Sequence, residues 1–544
     1  MLACCAAASL AAIAWSWSHD ALLNYGDAEA HLHIARRVID SHRPGLTQLG
    51  SVWLPLPHLL MVPFVAVFAM WKNGVAGLIP SALAWLASCW GLYRLMRRWL
   101  KIAPAAIALA FFALNPNLIY MQTTAMTEPL FVCEMVWAVL WLVEWRAAIE
   151  KGDERRSTRL VWLIATVLAA AVFTRYDGWI ITFLAWTAMG IVLLKRGRLR
   201  STAFWMATLI VIAAPVVWLV YNQVVFGDWL DFARGPYSAK AIELKTASPG
   251  SGPPHPGWHN PWVSLIFYAK AFEMDAAARA WGNFLLVASV AGTAWGWLIA
   301  RRKAFAWALL LWVPVPFYAY SVAFGSVPIF LPVWWPHSWY NTRYGLEMIP
   351  ALAIGVGFAA NFLLTAAGEF MPAWKRWVTA VLFVAIAANT AVMLHQRPLV
   401  YVEGTKNAMA RRPYERVIAV RMRALLAERP HGIVLMDTSV YPQVVALSGI
   451  PLRQTVNESD KEYYQAALAA PAQHAAIVMT LAGDAIEHAV KEHPAGLREV
   501  ARLDAAGQPE VTLYVSDSSA AQGHTSGRKP VIASGKEPGK GSGR

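Results

Sequence analysis

The feature that most constrains this chain is the recurrence of apolar blocks long enough to cross a bilayer. Ile102–Tyr120 is one such block, and it carries no charge. A crossing helix needs roughly 20 mostly apolar residues, because no water in the hydrocarbon can satisfy an exposed backbone. Hydropathy and length together predict roughly eleven spans, with approximate limits 2–18, 74–94, 102–120, 128–146, 160–175, 177–194, 202–222, 283–300, 304–324, 344–365 and 376–394. Composition agrees: 57% of the 544 residues are hydrophobic and 15% are charged, against about 25% charged in soluble domains. The expected fold class is an α-helical polytopic membrane protein.

A further apolar stretch, 54–71, carries Pro55, Pro57 and Pro63, which remove backbone donors and kink a helix. Charge decides how to read it. Basic loops lie at Arg94–Lys101, Arg146–Arg159, Lys195–Arg200, Arg301–Lys303 and Lys375–Arg376. Loops rich in Lys and Arg stay in the cytoplasm. All five fall on that side only if the first span, read as uncleaved, leads outward and 54–71 does not cross. The stretch is therefore expected as helices along the outer interface or as a re-entrant pair. The net charge of +14 is topological on this reading, and a nucleic-acid partner is not needed to explain it.

Three longer segments then fall outside: 223–282, with its Pro/Gly run at 248–254, 325–343, and everything after about His395. Residues 396–516 alternate an amphipathic helix, Tyr414–Glu428, with short apolar strands at Ile433–Met436, Ala476–Met479 and Val511–Val515, and a further helix at Asp484–Glu492. That alternation predicts a small C-terminal α/β domain on the outer face. The organisation expected is 1–395 as the transmembrane domain, 396–516 as the outer domain, and 517–544 as a disordered tail rich in Gly, Ser and Lys. Cys4, Cys5, Cys89 and Cys133 sit in apolar blocks without a CxxC pair, which argues against a disulfide framework or zinc site.

Charge near a span is costly to keep and therefore informative. Glu128, Arg175, Asp177, Arg343 and Glu347 cluster at the expected outer ends of spans, and the first outer loop adds Asp27, Glu29, His31 and His33. If 24–37 is helical, Asp27 shares a face with His31, and Glu29 with His33. A carboxylate so placed suits a general base, which takes the proton of an attacking hydroxyl and contributes roughly 10²–10⁴ in rate. The same residues also suit a divalent metal, and an acid near a helix start is equally explained by the helix dipole.

These residues carry a family resemblance. Gly26-Asp27-Ala28-Glu29 followed by Ile34-Ala35-Arg36-Arg37, then Thr127-Glu128-Pro129, Thr174-Arg175-Tyr176-Asp177-Gly178, and Arg343-Tyr344 through Pro350 resemble in order and placement the motifs of the GT-C superfamily of integral-membrane glycosyltransferases. The chain is most similar to the branch with protein O-mannosyltransferases and the bacterial aminoarabinose lipid A transferase. Relatives often have Asp and Glu adjacent, whereas Ala28 separates Asp27 from Glu29 here. The resemblance covers about residues 1–395.

The resemblance implies transfer of a sugar from a polyprenyl-phosphate donor to an acceptor hydroxyl outside the cytoplasm, with inversion at the anomeric carbon. It implies Asp27 or Glu29 as the catalytic base, Glu128 and His31 as residues that orient the acceptor or hold a divalent metal, and Arg343 and Arg175 as partners of the lipid phosphate. Lys240 and Lys245 are further phosphate candidates. Membrane lipid is the expected surrounding, and the acceptor (lipid, glycan or protein) is left open. A transporter or flippase of lipid-linked sugars is the main rival. It predicts broken helices in two matching repeats with charge at the midplane, whereas this sequence has no repeat and Glu134 as its one mid-span acid.

Overall fold

The structure is a computed structural model that describes residues 1–246, 253–300 and 302–517. The tail expected to be disordered lies almost wholly outside these residues, as does most of the Pro/Gly run. The chain forms two compact units, Met1–Glu415 and Arg416–Arg544.

The first unit is helical. Among the described residues, seven segments of the chain are long and apolar enough to cross a membrane, among them Val75–Met96, Asp177–Lys195, Thr202–Phe226 and Trp281–Ile299. The helices Leu2–Ser18, Glu128–Lys151 and Glu154–Val172 match three more of the expected spans. Of the spans read as continuous, 102–120 is broken, and 304–324 changes helix type along its length. The 102–120 block stops at Ala113 and restarts as Pro116–Met121, because Pro116 has no N–H to continue the ladder. Asn115 caps the restart, its side chain accepting from the N–H groups of Asn117 and Leu118 at 3.0 and 3.1 Å. The 304–324 block passes at Pro314 from a 3₁₀ segment, Ala306–Trp312, to the helix Pro314–Phe324. The proline-bearing stretch forms two short helices, Pro55–Val65 and Phe68–Asn73. At 1.5 Å per residue the longer is only about 16 Å, half of what a hydrocarbon core requires.

Helix packing relies on glycine where backbones meet. The helices Ala280–Ile299 and Ile349–Phe370 cross so closely that a methyl added at Gly292 would lie 1.9 Å from the Gly355 carbonyl oxygen. One added at Gly355 would lie 2.1 Å from that of Ser289. Small residues at such crossings replace the hydrophobic drive that lipid cannot supply.

The second unit contains a five-stranded sheet in the order β2-β1-β3-β5-β4, with β1 Val434–Leu435, β2 Thr455–Val456, β3 Ile477–Leu481, β4 Leu497–Leu503 and β5 Val511–Ser516. The first three strands are parallel and the last two antiparallel. Leu435, Val456, Val478, Ile486 and Val490 share its core. Three of these strands fall where alternation placed them. β2 and β4 escape such a reading, β2 for its length and β4 because it mixes Arg498, Glu499 and Arg502 with apolar residues.

Candidate active site

The first-loop motif is helical, Gly26–Arg37, and begins with Asp27 and Glu29 in its first turn, where carboxylates complement the exposed N–H groups. Two residues apart on a helix is more than half a turn, so the two acids point to different neighbours. Asp27 remains nearly half exposed, at 43% of its side chain, and accepts a hydrogen bond from Arg343 Nη2 at 2.6 Å. Glu29 is buried and paired with Arg411, which also holds Glu415 at 3.0 Å. Burial raises the Glu29 carboxyl to about 8, against the pull of Arg411.

Arg343 lies in a short 3₁₀ turn, Thr342–Met348, entered through Asn341 at φ 55°, a left-handed conformation that Asn tolerates. Its guanidinium donates to three carboxylates: Asp27, Glu128 Oε1 at 3.2 Å and Glu403 Oε1 at 3.1 Å. Glu128 opens its helix just before Pro129, the residue type that starts a helix without losing a bond. It bridges to the second cation, since Arg175 Nη1 also donates to Glu128 Oε1 at 3.2 Å. Arg175 further contacts Glu347 at 3.0 Å, Asp177 at 3.7 Å, and the Tyr318 hydroxyl at 2.7 Å. Tyr318 in turn donates to Glu347 at 2.8 Å.

Both guanidiniums also lie against one ring. Arg343 and Arg175 stand 5.1 and 5.2 Å from the centre of Tyr344, which stacks on Tyr318, itself stacked on Tyr268. A cation over an aromatic face gains about 0.5–2 kcal/mol. The stack also fixes the planes of the two forks. The arrangement is thus a line of charges: Asp27 at the open end, Arg343, Glu128, Arg175, and the buried Asp177 and Glu347.

His31 does not join this line. Its Nδ1 is 2.8 Å from His58 Nε2, with Trp53 against its ring. Burial is the main cause that lowers His31 to about 3 and pushes His58 well below its usual range. His33 packs on Trp71. Among the described residues, no three His, Cys, Asp or Glu side chains form a metal-holding group. Each acid of the line faces a guanidinium.

Two participants were not foreseen. Glu403 and Arg411 both come from the helix Leu399–Glu428, in a segment whose charge density reads as soluble. Glu403 accepts the N–H groups of Asn341 and Thr342 at 2.9 and 3.0 Å, together with the Thr342 hydroxyl, so it fixes the turn that presents Arg343. Asn407 accepts the Gly26 N–H at 3.0 Å, and the Tyr25 hydroxyl donates to the Val400 carbonyl at 2.6 Å. Hydrophobic periodicity carries no signal for these contacts. The only hint is that two acids, Glu403 and Glu415, bracket Arg411 at helical spacing.

The sequence matches no protein-family model and no curated protein. The fold does match solved structures. ArnT from Cupriavidus metallidurans bound to undecaprenyl phosphate superposes with a TM-score of 0.54 at 13% identity, over 94% of this chain and 98% of that one. The apo form of ArnT gives 0.51 at 14% identity, over 93% and 97%. The near-complete coverage of both chains extends the likeness past the motifs to the C-terminal unit. This chain therefore has the fold of ArnT.

Proposed function

We propose that the protein is an inner-membrane glycosyltransferase that moves a sugar from a polyprenyl-phosphate donor to an acceptor hydroxyl, with inversion, on the extracytoplasmic side. One observation carries this reading: a partly exposed carboxylate, Asp27, is held 2.6 Å from an almost buried arginine, Arg343. That juxtaposes a proton acceptor with a phosphate partner. The undecaprenyl phosphate bound to ArnT supports a donor of that kind.

In this reading Asp27 takes the proton of the acceptor hydroxyl as its oxygen attacks the anomeric carbon. The bond from that carbon to the phosphate oxygen breaks, and the electron pair leaves with the polyprenyl phosphate. Arg343 gives up its contact with Asp27 to neutralise the departing oxygens. The planar guanidinium suits this because it binds two oxygens at once. Arg175, committed to Glu128, Glu347 and Tyr318, acts through Glu128 by holding Arg343 in place. Glu29, turned toward Arg411, anchors the Gly26–Arg37 helix, which leaves Asp27 as the base.

The test is transfer of labelled sugar from a polyprenyl-phosphate donor by the purified protein. Asp27→Asn is expected to lose transfer while its thermal unfolding in detergent stays near that of the native protein. Transfer retained by the Asn variant rejects Asp27 as the base.

A further inference from the structure

A second cluster lies at the other end of the Glu128–Lys151 helix. Glu144 is sixteen positions beyond Glu128, about 24 Å along the axis, so nothing bound there reaches the acid–arginine line. Glu144 is buried at 5% side-chain exposure, yet three partly exposed arginines from two elements converge on it. Arg94 donates to Oε1 at 3.1 Å, Arg156 donates to Oε2 at 3.2 Å, and Arg98 also contacts Oε1.

One carboxylate does not balance three guanidiniums. Nearby Glu150 is engaged by Arg146 at 3.2 Å, and Asp153 caps the next helix by accepting the Arg156 N–H at 3.0 Å. Lys151 adds another cation. Burial and the proximity of Arg156 and Arg94 together pull Arg98 below its ordinary value.

The cluster borders a cavity of about 480 Å³. Its lining is of two kinds: Arg98, Arg156 and Lys151 are basic, and Trp99, Ile299 and Phe358 are apolar. Topology alone explains basic residues at a helix end. It does not explain their convergence on one buried acid beside an amphipathic hollow. A water-borne anion would need only the basic residues, whereas the apolar ones call for a ligand with a hydrocarbon part. Basic pockets between transmembrane helices hold anionic lipid headgroups in this way.

We propose that this cavity binds the phosphate headgroup of an anionic phospholipid, with Arg98 and Arg156 on the phosphate and an acyl chain along Ile299 and Trp99. The site is separate from the one that carries the proposed transfer.

The full-length protein in neutral detergent tests it. Thermal unfolding is followed while phosphatidylglycerol, phosphatidylcholine or inorganic phosphate is added. Phosphatidylglycerol is expected to raise the melting temperature by several degrees, phosphatidylcholine not to, and inorganic phosphate to need at least about tenfold more for the same effect. Arg98→Gln with Arg156→Gln is expected to shift the phosphatidylglycerol half-point by about tenfold or more, and the distant Arg376→Gln to leave it unchanged. Ala304→Trp fills the cavity without altering charge, so it blocks the response even if the arginine variant fails to fold. Equal response to the two lipids, phosphate acting as well as phosphatidylglycerol, or an undiminished response in Ala304→Trp would each overturn the assignment.

Discussion

Glu403 offers the sharpest test of how the site is held, through the substitution Glu403→Gln. In the native protein Oε1 accepts from Asn341 N and Arg343 Nη1, while Oε2 accepts from Thr342 N and the Thr342 hydroxyl. An amide has one acceptor oxygen. Turned with its oxygen toward Arg343, it sets an NH₂ against the Thr342 N–H, and only the hydroxyl can rotate to accept. One buried N–H then lacks a partner, at about 1–3 kcal/mol, and the bond to Arg343 loses its charge assistance, at about 1 kcal/mol more. The expected loss of stability is therefore about 2–4 kcal/mol. The share borne by Arg343 is the last of these, about 1 kcal/mol, so transfer falls about fivefold at subsaturating donor. A merely structural role would lower the folded fraction and leave the rate per folded molecule unchanged. The assay is therefore transfer kinetics normalised to folded protein by size exclusion, with KM for the donor measured apart from kcat. Glu403→Asp keeps the charge and is expected to recover part of the loss. Native kinetics per folded molecule in Glu403→Gln would refute the claim that Glu403 orients Arg343.

Three other outcomes follow from the same geometry. Arg343→Lys keeps one charge but cannot span Asp27, Glu128 and Glu403 together, so transfer is expected to fall at least about 100-fold with retained membrane insertion; near-native transfer would contradict the proposed role. His31, lowered to about 3, and His58, also lowered, are neutral in the fold but protonate in the unfolded chain near their ordinary value of 6.5. Stability is thus full above pH 6.5 and drains as pH falls toward 3, and His31→Gln should flatten a melting-temperature profile taken across pH 4–7. Gly355→Ala, which drives a methyl to 2.1 Å from a backbone oxygen, is expected to cost about 1–3 kcal/mol by overpacking while the rate per folded molecule holds; an unchanged melting temperature would show that the two helices can part without cost.

The legible part of this protein is what lipid enforces. A bilayer charges for every unpaired donor and every buried ion, so the apolar blocks at 75–96 and 202–226 announce themselves, and Asp27, Glu128, Arg175 and Arg343 stand out against them. Proline left the stretch at 54–71 ambiguous and the basic loops read it as not crossing; it forms two short helices, Pro55–Val65 and Phe68–Asn73. The same rule misled where proline was discounted. Pro116 and Pro314 lie in blocks apolar enough to read as continuous, yet Pro116 breaks its helix and Pro314 marks a change from 3₁₀ to α-helix. Hydropathy sums side chains and is blind to a missing N–H.

Partnership is the illegible part. Asp27 meets Arg343 across 316 positions and Glu29 meets Arg411 across 382. No local pattern encodes a contact at that distance. Glu403 and Arg411 were hidden for a further reason: they lie in a helix dense with Lys and Arg, where charge signals solvent. Both are nonetheless almost buried, each held by ion pairs within the first unit, Glu403 with Arg343 and Arg411 with Glu29. Apolar surroundings expose a charge to the reader, and charged surroundings conceal it. The acids found by sequence are thus those beside apolar spans or in the first loop motif, while those that steer them enter from a segment that looks soluble. The Leu399–Glu428 helix therefore has to be counted with the candidate site, and a truncation ending near residue 395 should lose transfer by releasing Arg343 even though every motif residue remains.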